Sequence, residues 1–259
     1  MKVGVCGAGG RMGKAVLRIA LERGYEISAA FDKNYESFTA GININSNLIK
    51  ITSLNSEEVK LCDGLIDFSL PGNVLDLLQL ARENKKPLVI GTTGFSNQEE
   101  KIIKEVSAEI PLLFSANMSL GVNFLFKLTE LAAQIVDDRY DLEVFEAHHR
   151  LKKDSPSGTA KKLIQILKDN RSDLKEATEI HGREGNDLSR SNQEIGVMAV
   201  RGGDITGEHT VFFIGEGERL ELTHRATNRD VFAQGAVRAL EFLVGQKPGL
   251  YTMYDVLGL

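Results

Sequence analysis

Apolar residues in the first 118 positions fall into two kinds of stretch. Short, nearly unbroken runs occur at 2–6, 25–31, 64–69, 87–90 and 111–115, and all but the second are followed by a longer stretch of apolar positions spaced three or four apart. The runs predict buried strands and the spaced stretches predict amphipathic helices. The clearest helices are 14–24 (KAVLRIALERG) and 73–85 (NVLDLLQLARENK), the second opened by Pro71; Ser96-x-x-Glu99 spells a capping box for a third. Repeated strand–helix alternation implies a mostly parallel sheet covered by helices, with its ligand crevice along the carboxyl ends of the strands. Residues 34–63 are polar and predict only a short strand at 49–51 and a weak helix at 56–61.

From about Leu120 the pattern changes. Residues 121–136 read as one amphipathic helix, 140–147 (YDLEVFEA) as a strand, and 158 to about 168 as a helix. Residues 171–193 are charged and irregular and suggest no role. Strand candidates at 195–201, 209–215 and 219–226, separated by Gly202-Gly203 and Gly215-Glu216-Gly217, predict an antiparallel or mixed sheet, and 230–244 a closing helix. This half therefore reads as an α+β domain built on one open sheet. Open sheet faces with alternating Phe212, Leu220 and Leu222 are expected to need burial, for which a symmetric oligomer is the usual solution.

At 259 residues the chain is long enough for one large or two modest domains. A net charge of −5 provides no global basic field to draw it to nucleic acid or membrane. No run approaches the ~20 apolar residues of a membrane helix, and the first ten residues lack a signal-peptide core. The two cysteines, Cys6 and Cys62, have no metal-type spacing and fit a reducing compartment. The expectation is a cytoplasmic protein with no metal, nucleic acid or membrane partner.

Two stretches carry chemistry. After the first strand comes Gly7-Ala8-Gly9-Gly10-Arg11-Met12-Gly13 and then a helix. Strand, glycine-rich turn and helix make the phosphate cradle of dinucleotide-binding folds, here with Gly7-x-x-Gly10-x-x-Gly13 spacing in place of the strict pattern. Asp32 ends the second strand, about where an acid takes the adenosine ribose hydroxyls, and Lys33 beside it suits a 2′-phosphate, so NADH and NADPH both fit. The second stretch is Glu146-Ala147-His148-His149-Arg150-Leu151-Lys152-Lys153-Asp154-Ser155-Pro156-Ser157-Gly158-Thr159. It joins two imidazoles and mobile lysines to a helix start capped by Ser157 or Thr159, a combination suited to holding an anionic small molecule and protonating it. Strand neighbours point to opposite faces, so His148 and His149 share a pocket only if the chain bends there.

EAHHRLKKDSPSGTA, with GAGGRMG, GTTGF, SANMSLGVN and RGGDITGEHTVFF, resembles the 4-hydroxy-tetrahydrodipicolinate (dihydrodipicolinate) reductase family of diaminopimelate and lysine biosynthesis, from the first strand to the last helix. The resemblance implies a Rossmann-type dinucleotide-binding domain over 1–118, completed by 230–259, and a substrate-binding and oligomerisation domain over 119–229, in a homotetramer. It implies that Gly7, Ala8, Gly9, Gly10, Arg11 and Met12 cradle the pyrophosphate and that Asp32 and Lys33 meet the ribose. Gly91, Thr92 and Thr93, with Ser115, Ala116, Asn117 and Met118, would line the nicotinamide side. His148 would donate the proton, with Lys152 as second acid, while His149, Ser157, Gly158 and Thr159 hold a dicarboxylate substrate. Hydride would go to the ring carbon β to the imine, with loss of the 4-hydroxyl as water, and His148 would protonate the resulting enamine. Met118 and Leu70 depart from commoner forms of the pattern, which bears on cofactor preference. Another two-domain NAD(P)-dependent dehydrogenase, or a silent nucleotide-binding regulator, would share the glycine loop but has no need of the histidine block.

Overall fold

The computed structural model describes residues 1–186 and 188–259. In chain order the elements are Lys2–Cys6 (β1), Arg11–Glu22 (α1), Glu26–Phe31 (β2), Ile42–Ile44 (β3), Asn47–Ile49 (β4), Ser56–Leu61 (α2), Gly64–Asp67 (β5), Pro71–Glu83 (α3), Leu88–Ile90 (β6), Asn97–Ser107 (α4) and Pro111–Phe114 (β7). Then come Leu120–Ile135 (α5), Asp141–His148 (β8), Gly158–Asn170 (α6), Thr178–Ile180 (β9), Glu194–Arg201 (β10), Gly207–Gly215 (β11) and Glu218–Ala226 (β12). Asp230–Leu243 (α7), Gly249–Tyr251 (β13) and Met253–Leu257 (α8) close the chain. Two compact units result, Met1–Leu120 with Arg229–Leu259, and Gly121–Asn228.

In the first unit six parallel strands run β13-β7-β6-β5-β1-β2. Strand alternation distributes their side chains to two dry layers. Val3, Val5, Ile66, Val89 and Leu113 join Val16 and Leu17 of α1 and Ala233, Val237 and Leu240 of α7 on one side. Cys6, Leu65, Leu88, Ile90 and Leu112 join Leu77, Leu78 and Ile103 of α3 and α4 on the other. Sequence order reverses between β1 and β5, so the carboxyl ends of these strands flank a switch point where open sheets bind ligands. The predicted capping box is present: Ser96 Oγ accepts from Glu99 N while Glu99 accepts from Ser96 N. The helix at Ser56–Leu61 forms where predicted, but the strand expected at 49–51 does not. Its place is taken by the β3–β4 hairpin and a single bridge from Phe31 to Thr52.

The second unit is a mixed sheet, β12-β11-β8-β10-β9, with β8 at its centre. β8 pairs antiparallel with β11 and parallel with β10. One face carries Leu142, Val144, Ile195, Val197, Val211 and Phe213, all buried, with α6 packed on β8 and β11. The register divides Phe212, Leu220 and Leu222, expected on open sheet faces, between the two sides of the sheet. Phe212 lies opposite Glu221, whereas Leu220 and Leu222 lie opposite Phe213 and Val211 on the helix-covered face. Phe212 instead shares the other face with Phe145, Met198, Val200 and Ile214. The segment expected to be irregular, 171–193, also has structure. It supplies β9, and Arg183 and Arg190 reach Glu143 on β8, Arg183 also pairing with Glu194 and Arg190 with Asp141. Asp187 within it lies outside the described residues.

Candidate active site

The glycine loop is shaped by contacts that exclude side chains. Gly7 has φ +73°, and a Cβ there would lie 2.4 Å from the Phe68 carbonyl oxygen; one at Gly13 would lie 2.1 Å from the Gly7 carbonyl oxygen. The loop therefore folds directly onto the first turn of α1. Gly10 N donates to Gly7 O and Lys14 N to Gly10 O, both at 3.0 Å. Among the described residues no side chain caps α1 and no acid lies in its first turn, so its positive end is not neutralised from within the helix.

Beside it is a cavity of about 420 Å³ lined by Gly7, Gly10, Asp32 and Lys33 among the predicted residues, by Leu70, expected to bear on cofactor preference, and by Tyr35, Phe68 and Asn73 among residues not foreseen as cofactor contacts. Asp32 accepts from Gly9 N through Oδ2 and from Asn34 N through Oδ1, each at 3.0 Å, so it braces the loop as well as facing the cavity. Arg229, at the start of α7, has its guanidinium pKa lowered by burial and further by Arg11.

Ala8 is buried, while Arg11 is exposed and Met12 half-buried. Gly91, Thr92, Thr93 and Ser115–Met118 lie beyond the lining of this cavity. Thr92 is turned inward, its Oγ1 donating to Asp67 Oδ2 at 2.6 Å. Ser115 Oγ donates to Asn117 O at 2.9 Å and Asn117 Oδ1 accepts from Ser119 N at 2.9 Å. The Met118 side chain belongs to the core, which leaves its backbone for any ligand. Asp67 was not foreseen: wholly buried at the end of β5, it is pushed up to about 6 by burial, against the hydrogen bonds from Ser69 and Thr92.

In the second unit β8 ends at His148 and the chain bends at once. Gly202 N donates to His148 O at 2.9 Å, and Lys152 N to His149 O at 3.1 Å closes a turn. His148 is buried on the helix-covered face and His149 half-buried beyond it. Glu146, two residues earlier and hence on the same face, accepts from His148 Nδ1 at 2.5 Å. Its carboxylate is also gripped by Arg201 of β10 through two hydrogen bonds of 2.7 Å and by Ser157 N at 3.1 Å. Burial alone would raise the Glu146 carboxyl; the hydrogen bonds from Arg201 and His148 outweigh it and hold the group below the usual carboxylate range. Burial pushes the His148 imidazole below its ordinary value, against the pull of Glu146 and with the repulsion of Lys152 and Arg201.

Of the two predicted caps, Ser157 serves: its Oγ accepts from Ala160 N at 3.2 Å. Ser157 Oγ also meets His209 Nε2 at 3.0 Å. His209, at the start of a predicted strand but given no role from the sequence, is buried and depressed to about 3 by burial and then by His148, whose ring lies edge-on at 5.1 Å between centroids. Gly158 is exposed with open space around it, and with Thr159 it forms the first turn of α6. Lys152, expected as a mobile cation, is held by Asp154 at 2.9 Å. The structure thus gathers His148, Lys152, Ser157, Gly158 and Thr159 around one strand end. The sequence showed Glu146 in the same block, two residues from His148; Arg201 opens the RGGDITGEHTVFF motif, but nothing in the sequence tied it to Glu146, 55 residues away.

Family models described as dihydrodipicolinate reductase, N-terminus, and dihydrodipicolinate reductase, C-terminus, match residues 1–118 and 121–257. The 4-hydroxy-tetrahydrodipicolinate reductase of Aquifex aeolicus (strain VF5) is 46% identical over 268 residues, covering 100% of this chain and 99% of the relative. That of Geotalea uraniireducens (strain Rf4) is 44% identical over 266 residues, covering 100% and 99%. Among solved structures, dipicolinate-bound dihydrodipicolinate reductase from Paenisporosarcina sp. TG-14 shares the fold, with a TM-score of 0.79 at 24% identity over 98% of each chain.

Proposed function

Because the chain belongs to the dihydrodipicolinate reductase family over both of its halves, we propose that it reduces 4-hydroxy-tetrahydrodipicolinate to tetrahydrodipicolinate with NADH or NADPH in the cytoplasm, a step of diaminopimelate and lysine biosynthesis. The observation that carries the chemistry is the buried His148, engaged through Nδ1 by Glu146 and placed beside the start of α6. A nicotinamide dinucleotide, when bound, supplies the hydride. The chain fits that cofactor: the glycine loop has no room for a side chain at Gly7 or Gly13, the first turn of the following helix has no acid, and Asp32 and Lys33 help line an adjoining cavity. Gly7, Ala8, Gly9, Gly10, Arg11 and Met12 hold the phosphates, and Asp32 the ribose. A carboxylate repels a 2′-phosphate, so Asp32 favours NADH. Gly91, Thr92, Thr93 and Ser115 to Met118 provide backbone toward the nicotinamide.

On the substrate side the amides at Gly158 and Thr159 and the ring of His149 hold the two carboxylates, the helix start being suited to anions. Ser157 sets the helix start in place. His148 delivers the proton and Lys152, released from Asp154, supports it. The sheet face bearing Phe145, Met198, Val200, Phe212 and Ile214 assembles four copies.

The test is oxidation of NADH and of NADPH, in separate reactions, with substrate generated in situ from pyruvate and aspartate semialdehyde by a synthase. Synthase-dependent oxidation, faster with NADH, is expected. His148→Gln is expected to lower turnover by ~10²–10⁴ with NADH affinity little changed. Absence of oxidation with either cofactor, in protein that binds NADH, overturns the reading.

A further inference from the structure

The carboxylate of Glu146 accepts four hydrogen bonds. It is wholly buried in mid-sheet, where an ionised carboxylate is costly unless paired. The chain surrounds it with donors from three places: Arg201 from β10, Ser157 N from the turn before α6, and His148 from its own strand. Arg201 is itself fixed by the Asp154 carbonyl at 2.8 Å. Arg201 and Ser157 N alone would satisfy both carboxylate oxygens. The fourth contact, to His148 Nδ1, adds nothing the burial requires, and it bears on the imidazole instead.

We infer that Glu146 and Arg201 form a positioning pair for His148: the carboxylate accepts the Nδ1 proton, and Nε2 is thereby kept as the nitrogen that passes a proton to substrate. This rests on the reading of His148 as proton donor. Arginine keeps its charge and, by its double hydrogen bond, keeps Glu146 an acceptor. An acceptor at Nδ1 fixes the neutral ring as the Nδ1–H tautomer, so that when the ring is charged the second proton sits on Nε2. Space beside that nitrogen comes from Gly207 on β11, where a Cβ would approach Nε2 to 3.1 Å. The groups facing the ring oppose one another. Glu146 on β8 favours the imidazolium, while Lys152 in the following turn and Arg201 on β10 disfavour it. His209 on β11 lies edge-on and stays neutral.

In Glu146→Gln the amide oxygen goes to Arg201 and its NH₂ meets Nδ1, which then has to accept. The proton of the neutral ring moves to Nε2, and the imidazolium loses its counter-charge. The experiment is a nitrogen-15 NMR titration of histidine-labelled apo protein, with the His148 signals assigned by their loss in His148→Gln, alongside kcat and KM against pH for wild type and Glu146→Gln. Neutral His148 is expected as the Nδ1–H tautomer in wild type and as Nε2–H in the variant. The basic limb of the kcat profile is expected to move to lower pH by about one unit, and kcat at neutral pH to fall by ~10–10³ with KM within about threefold. Glu146→Asp, which keeps an acceptor, should recover part of kcat. A variant that folds and binds NADH with an unshifted profile and an unchanged tautomer overturns the pairing. If Glu146→Gln does not fold, the wild-type spectrum decides, and an Nε2–H tautomer there overturns it equally. The wild-type tautomer is read without turnover, so an inactive enzyme with the expected spectrum counts against the proposed reaction and not against the pair.

Discussion

At the scale of single residues, the two units each bury a titratable group whose place in the fold was not legible, and the reason is the same in both. The sequence shows Asp67 at the end of an apolar run and His209 at the start of another, but what they meet comes from other strands. Asp67 meets Thr92 across from β5 to the turn after β6, and His209 meets Ser157 across 52 residues. Burial raises Asp67 from 3.8 to about 6. In the native state its proton is kept between pH 4 and 6, while the unfolded chain has already released it. The stability this contributes is complete below pH 4 and is lost as pH rises through about 6, in total on the order of 3 kcal/mol. Asp67→Asn cannot titrate, so the stability of wild type relative to the variant is expected to fall by that amount between pH 4 and 7.5. Chemical unfolding of both proteins at several pH values measures it, and a flat difference would mean that Asp67 stays ionised throughout.

At the scale of elements, what was legible was whatever the sequence repeats or punctuates. The five apolar runs of the first half became β1, β2, β5, β6 and β7 because strands buried on both faces need unbroken apolar sequence. The cap at Ser96 and the helix at Ser56–Leu61 followed from local hydrogen bonding. β9, β13 and the β3–β4 hairpin, three residues per strand, owe their existence to a neighbouring strand and carry no period to read. Alternation told which residues of one strand share a face, but only the register of β11 against β12 decides that Phe212 and Leu220 do not. The start of α6 combines the legible and the illegible. Ser157 was readable as a cap, whereas its second bond, to His209, was not. Ser157→Ala removes the cap and strips a buried imidazole of its partner, at a cost of about 2–4 kcal/mol together. The midpoint of urea unfolding should fall accordingly with its slope unchanged. A loss of under about 1 kcal/mol would show that water or a shifted ring replaces the hydroxyl.

At the scale of the whole molecule, the proposed function divides the chemistry between the two units. The first offers a glycine cradle and an acid at a sheet's switch point, and the second a histidine on the central strand of a mixed sheet. The glycine loop and the histidine block were both visible in the sequence because each needs particular residue types close together in the chain. The sheet face proposed to join copies was visible only as excess apolar residues, whose division between the two faces needed the strand pairing. Met198 and Val200 stand 46% and 44% exposed on it, with Phe145, Phe212 and Ile214 alongside. A patch of this kind on a soluble sheet is usually covered by another chain. If four copies meet through it, light scattering should give wild type four times the mass of one chain. Replacing Met198 and Val200 together by Glu should yield dimers or monomers, because like charges would be buried face to face without partners. Both side chains already lie partly in solvent, so the circular dichroism of the variant should match wild type. A monomeric wild type would end the proposal, and a variant that stays tetrameric would place the interface on some other surface of the chain.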